Sequence, residues 1–268
     1  MDAPIVAVLS LKGGVGKTTV TLGLASAARH EQRRVLIVDL DPQANATAGL
    51  DLSAIGYTTS DVLYDGRPGV ALDAITQTGW GPRVDAIPAE RALEHRAVPS
   101  GTDPVRRLQR ALQGVATRYD LILLDCPPSL GELTRNALFT ATQAVVVTEP
   151  SYFAVQGAEQ AVEAVSVARR EGNRGLSVVA IVPNRTRAAL SEHRYRLDEL
   201  RSVFGVKVTE PIPERTAIQQ AQGAGVPIHA WKSSGSRSAA RAFDDLLGRV
   251  ADVSGRAIAE ELAAREGR

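Results

Sequence analysis

Apolar residues along this chain gather in short unbroken runs instead of alternating with polar ones. Ile5 to Leu11, Val35 to Leu40, Leu121 to Leu124, Ala144 to Thr148 and Ser177 to Val182 each read as a strand buried on both faces, the pattern of a parallel sheet covered by helices. Val84 to Ile87 predicts a shorter strand. Between these runs the spacing turns helical: Val20 to Arg29 with Leu22, Leu24 and Ala25 on its apolar face, Val155 to Arg170, and a tail from Ser238 to Arg268 with Phe243, Leu246, Leu247, Val250 and Ile258. A short helix is expected near Ser60 to Tyr64 and a longer one from Pro104 to Thr117. Strands alternating with helices predict an α/β fold, a doubly wound and mostly parallel sheet flanked by helices, in one domain over 1–268. The stretch from Asp51 to Pro104, broken by Gly66, Pro68, Gly69, Gly79, Gly81, Pro82 and Pro88, is the least readable.

Between the first strand and the first helix stands Lys12-Gly13-Gly14-Val15-Gly16-Lys17-Thr18-Thr19. A strand, a glycine loop and a helix N-terminus place a row of backbone N–H groups around one point, which makes a phosphate-binding loop. Glycine at 13, 14 and 16 allows left-handed backbone and close approach to phosphate oxygens. Lys17 supplies charge to the β- and γ-phosphates, and the Thr18 hydroxyl is placed to ligate Mg²⁺. The ordinary pattern asks for glycine at position 11, where this chain has Leu11, and the extra lysine, Lys12, is the informative departure. Its own backbone already surrounds the phosphates, so Lys12 is expected to reach the nucleotide of another subunit.

The loop K-G-G-V-G-K-T-T resembles the deviant Walker A loop of the ParA/MinD family of P-loop ATPases, and the chain is similar to ParA-type partition ATPases over most of its length. The resemblance implies ATP and Mg²⁺ as cofactors, with Gly13, Gly14, Val15, Gly16, Lys17, Thr18 and Thr19 forming the nucleotide cradle. It makes Asp39-Leu40-Asp41-Pro42-Gln43 the switch I segment: Asp41 orients the attacking water, and Asp39 stands at the magnesium end through ordered water. Carboxylates at the C-terminal end of a parallel strand are where open α/β sheets bind ligands. Four apolar residues ending in Asp125 form a Walker B strand, in which the carboxylate positions Mg²⁺ and its water, and Pro127 and Pro128 stiffen the start of switch II. Cys126 reads as a small buried residue. By resemblance, Asn184 hydrogen-bonds the adenine edge while Pro211 and Pro213 pack along the base.

Composition narrows the picture. Aromatics are only 4%, so the core must be built from Val, Leu, Ile and Ala, and one cysteine rules out an internal disulfide or a multi-cysteine metal site. No signal peptide and no apolar run of about 18 residues appear, so a cytoplasmic protein without a membrane helix is expected. A net charge of +1 gives no global nucleic-acid signal, leaving any such binding to a local patch. Residues 169–201 hold eight arginines against four acids, and Arg194, Arg196, Arg215, Arg237 and Arg241 are the candidates for holding DNA phosphates.

The family cycle would then be an ATP-paired homodimer that holds nonspecific DNA at the nucleoid until a ParB-like or cargo-adaptor partner triggers hydrolysis. The alternative is a MinD-like or orphan ParA-like ATPase that positions a membrane or protein cargo. The balanced, non-aromatic end from Ala257 to Arg268 argues against membrane insertion.

Overall fold

The structure is a computed structural model that describes residues 3–52, 54–99 and 103–252. β1 (Ile5–Leu9) leads through the glycine loop into α1 (Lys17–His30), and β2 (Val35–Asp39) leads into the single turn α2 (Asn45–Ala48). α3 (Thr59–Asp65) is closed at its start by a capping box, the Thr58 N–H donating to Asp61 Oδ2 at 2.8 Å. β3 (Thr76–Gln77), β4 (Val84–Ile87) and α4 (Arg107–Ala111) precede the central β5 (Leu121–Asp125). The chain then alternates through α5 (Glu132–Thr140), β6 (Gln143–Thr148), α6 (Ala154–Glu171) and β7 (Ser177–Pro183). It closes with α7 (Ser191–Phe204), α8 (Thr216–Gly223) and α9 (Ser236–Asp252).

The seven strands lie in the order β3-β4-β2-β5-β1-β6-β7, all parallel except β3, which pairs antiparallel with β4. The expected doubly wound, mostly parallel sheet is therefore what the chain forms. Its continuous apolar runs have a direct cause, because successive residues feed two different cores. Ala7, Leu36, Val38, Ile122 and Leu124 face the core shared with α5 and α6, whereas Val6, Ile37, Leu121 and Leu123 face the core under α1 and α9. In that second core the ring of Phe243 packs so tightly on α1 that a Cβ at Gly23 would lie 2.2 Å from it. Register then brings the chemistry together: Asp39 pairs with Asp125 across β2 and β5, and Val8 of β1 pairs with Asp125 on the other side.

Several expectations need correction. The first strand stops at Leu9 because the backbone turns at Ser10, whose Oγ accepts from the Lys12 N–H at 3.3 Å. The helix expected over Pro104 to Thr117 is three pieces, a 3₁₀ turn at Pro104–Arg106, α4, and a second 3₁₀ turn at Ala116–Arg118. Gly114, at φ +74°, breaks it. α2, β3, α5, α7 and α8 were not foreseen. α7 buries only Leu197 and Leu200, too few apolar positions to set up a visible period. The tail helix begins at Ser236, and its expected continuation, with Ile258, lies outside the described residues. No helix among the described residues is long and apolar enough to cross a membrane.

Candidate nucleotide site

The site lies at the C-terminal ends of β1, β2 and β5, where the sheet's parallel strands present their loops. Gly14 and Gly16 have φ of +79° and +90°, a backbone conformation that favours glycine. Gly16 is doubly constrained, since a Cβ there would fall 2.2 Å from Asn184 Nδ2. Lys17 opens α1 and is only 7% exposed. Burial lowers its pKa, and Asp125 and then Asp41 oppose that shift, so the carboxylates help keep the ammonium charged.

Thr18 Oγ1 donates to Asp125 Oδ2 at 2.7 Å, and Thr21 Oγ1 donates to Oδ1 at 2.9 Å. Asp125 is fully buried, and its pKa is raised by that burial and then by the neighbouring Asp39. Two buried carboxyl groups side by side disfavour double ionisation unless a cation sits with them. The Thr18 hydroxyl and the Asp125 carboxylate are an all-oxygen donor set at the mouth of a phosphate cradle, which is what Mg²⁺ bound jointly with nucleotide phosphates uses. The cleft has a volume of about 640 Å³, and Lys17, Thr18, Thr19, Asp41, Gln43 and Pro128 are among its walls.

Asp41 stands in that wall, 7% exposed, with Oδ1 accepting the Gln43 N–H at 3.0 Å. Asp39 makes bonds that the sequence did not foretell. Its Oδ1 accepts the Asp41 N–H at 3.0 Å, and its Oδ2 accepts both the N–H and the hydroxyl of Thr47, at 2.9 and 2.8 Å. The carboxyl is 1% exposed, shapes the loop that carries Asp41, and stands beside Asp125 across β2 and β5. Its pKa is raised by burial against the pull of those Thr47 bonds. Cys126 is buried as expected, and burial pushes its thiol up, away from nucleophilic use.

Lys12 is exposed, and its Nζ lies 3.4 Å from Ser151 Oγ in the loop after β6, outside the cleft formed by its own glycines. Asn184, expected at the adenine edge, is 1% exposed and donates Nδ2 to the Val15 carbonyl at 2.7 Å. That bond takes one of the two N–H groups of the amide. Pro211 and Pro213 lie beside the end of β7, where the Ile212 N–H donates to the Pro183 carbonyl at 2.9 Å, and neither lines the phosphate cleft. Two residues that line the cleft escaped the sequence reading. Arg185, directly after Asn184, donates Nη1 to the Gly14 carbonyl at 2.8 Å. Gln222, from the unforeseen α8, accepts from Thr19 Oγ1 at 3.3 Å.

The five arginines assigned to DNA do not form one patch. Arg196 is engaged within the chain: its side chain is 14% exposed, 2.7 Å from each of Glu192 and Glu199, and its guanidinium lies over the rings of Tyr152 and Tyr195. Acids one helical turn away have neutralised it. Arg194 is exposed on the same helix. Arg237 and Arg241 instead line, with Lys232 and Trp231, a separate cleft of about 810 Å³ at the start of α9. Arg215 adjoins it, packed so that a Cβ at Gly235 would meet its Cδ at 3.2 Å.

An AAA domain family model matches residues 3–178. The sporulation initiation inhibitor protein Soj of Bacillus subtilis (strain 168) is 34% identical over 230 residues, covering 84% of this chain and 89% of Soj. The chromosome partitioning protein ParA of Caulobacter vibrioides is 32% identical over 264 residues, covering 94% of this chain and 97% of that protein. Among solved structures, cobyrinic acid a,c-diamide synthase from Mycobacterium smegmatis with bound ADP and magnesium superposes with a TM-score of 0.76 at 27% identity, covering 95% of this chain and 97% of that one. The phosphate loop, the Thr18–Asp125 pair and these likenesses agree on ATP and Mg²⁺ as the cofactors, and this chain belongs to the ParA/Soj family of P-loop ATPases.

Proposed function

We propose that the protein is a Mg²⁺-dependent ATPase, folded as one domain, whose ATP-bound copies pair face to face, hold DNA without reading its sequence, and let go on hydrolysis. The observation that carries this reading is the division of the two loop lysines. Lys17 lies buried inside the cleft, and Lys12 stands outside it. The loop amides and Lys17 stabilise charge developing on the γ-phosphate, and Asp41 orients the attacking water. Thr18 and Asp125 would hold Mg²⁺, which would supply charge neutralisation at the phosphates. Lys12 completes the site from the partner copy, so turnover depends on pairing.

The relatives' names, a sporulation inhibitor and chromosome partitioning proteins, support a role in moving or positioning DNA or an attached cargo. A ParB-like or adaptor partner would then stimulate hydrolysis, with the ATP form at the nucleoid in the cytoplasm. The test is Lys12→Ala. The variant should bind ATP normally and lose stimulated hydrolysis by roughly 10²-fold or more, the scale of a removed transition-state cation. Wild-type stimulated turnover would remove the cross-subunit role.

A further inference from the structure

The amide groups of a phosphate loop bind anions only if their peptide planes are held facing the ligand. Within a peptide unit the C=O of one residue and the N–H of the next point in opposite directions. A partner on the Gly14 carbonyl therefore fixes the Val15 N–H, and a partner on the Val15 carbonyl fixes the Gly16 N–H. In this chain two consecutive residues supply both partners. Arg185 Nη1 donates to Gly14 O at 2.8 Å, and Asn184 Nδ2 donates to Val15 O at 2.7 Å. The next carbonyl, of Gly16, is taken by the Val20 N–H at 3.0 Å, inside α1.

The two donors stand on a braced segment. The Asn184 N–H bonds to Thr148 O at 2.8 Å, the Thr186 N–H bonds to Ile212 O at 3.0 Å, and the Glu214 N–H bonds back to Thr186 O at 3.0 Å. Between those anchors Arg185 takes φ +56°, a left-handed conformation uncommon for a residue with a side chain. The turn sends neighbouring side chains to neighbouring carbonyls of one loop. Such sparsely populated backbone persists where the surroundings determine it, and it clusters at ligand sites.

We propose that Asn184 and Arg185 are positioning residues that preorganise the phosphate loop from its carbonyl side. Through the Gly14 and Val15 carbonyls they serve the polyphosphate, and the second N–H and Oδ1 of Asn184 are left for other partners. The inference rests on the nucleotide-binding reading of the cleft, and it assigns to Arg185 a role that the loop motif does not contain.

The experiment separates phosphate from base. Binding of ATP, GTP and inorganic tripolyphosphate, each with Mg²⁺, is measured on the full chain for wild type, Arg185→Ala, Arg185→Lys and Asn184→Ala. Arg185→Ala should weaken ATP and tripolyphosphate by the same factor, about tenfold, the order of one lost charge-assisted hydrogen bond. The ratio of ATP to GTP affinity should stay at its wild-type value. Arg185→Lys, which keeps a donor, should recover part of both affinities. Asn184→Ala should weaken tripolyphosphate as well as ATP.

Loss of ATP affinity with tripolyphosphate unchanged would overturn the proposal in favour of base contact. So would unaltered affinities, or a wild type that binds ATP and ignores tripolyphosphate. A wild type that binds no nucleotide at all would instead overturn the reading of the cleft itself.

Discussion

The mouth of the phosphate loop and the arginine-bearing helices are both rich in charge, and they satisfy it in opposite ways. At the loop, several polar groups meet partners brought from far along the chain: Thr18 meets Asp125, Thr19 meets Gln222, and Gly14 and Val15 meet Arg185 and Asn184. On α7 most partners are local, with Arg196 paired to Glu192 and Glu199 and Arg201 to Asp198, three or four residues apart, while Arg201 also reaches Glu210 beyond the helix. Long-range pairing builds a site that exists only in the fold. Local i,i+3 and i,i+4 pairing returns a helix surface to near neutrality, where each ion pair contributes little. At the start of α9, Lys232, Arg237 and Arg241 share a cleft wall with no ion pair among the described residues. The positive balance counted over 169–201 thus overstates α7, and the short basic cluster near α9 is the freer surface.

The sharpest way to break the comparison is at the buried pair. Asp125→Asn should cut Mg²⁺-dependent ATP hydrolysis by roughly 10²-fold, checked by phosphate release. The same variant tests the electrostatics. Asp39 and Asp125 have pKa values raised above those of the unfolded chain, so the folded state holds their protons more tightly. Their contribution to stability is complete in acid and is lost as pH rises from about 4 toward neutrality. Without nucleotide or metal, wild type should lose a few degrees of melting temperature over that rise, and Asp125→Asn should flatten the loss. A wild-type melting temperature that climbs with pH, tracked by the pair, would contradict the assignment.

A smaller effect is expected at the α9 cleft. Arg237→Glu and Arg241→Glu should each weaken nonspecific duplex binding by about tenfold and lower the slope of log affinity against log salt by at least about 1. The smallest belongs to Arg196→Ala. It should alter DNA affinity less than about threefold and act mainly on the packing of Tyr152 against α7, visible as a small change in melting temperature. If Arg196→Ala proves as damaging to DNA binding as Arg237→Glu, the contrast between the two surfaces fails.

Much of the nucleotide site was legible because its signals are consecutive. Lys12 to Thr19 form one unbroken motif, and the strands ending in Asp39 and Asp125 are continuous apolar runs whose two-sided burial leaves no alternation. What escaped was set by tertiary contact. Arg185 follows the residue singled out beside it, yet only the turn after β7 aims it at Gly14. Gln222 arrives on α8, whose apolar positions, Ala217, Ile218 and Ala221, are too few for a period. The use of Asp39 as an acceptor for Thr47 depends on the α2 turn folding back. The pairing of Arg196 was not legible because a count of charges does not register which of them meet.

The most direct test of the account is binding of the full chain to a nonspecific DNA duplex without nucleotide, with ADP and with ATP, at two salt concentrations, alongside Lys17→Ala. The account predicts binding that requires ATP, weakens steeply with salt and is lost in Lys17→Ala. ATP-dependent pairing with no DNA binding in any state would contradict it and assign the paired form to a protein or membrane surface.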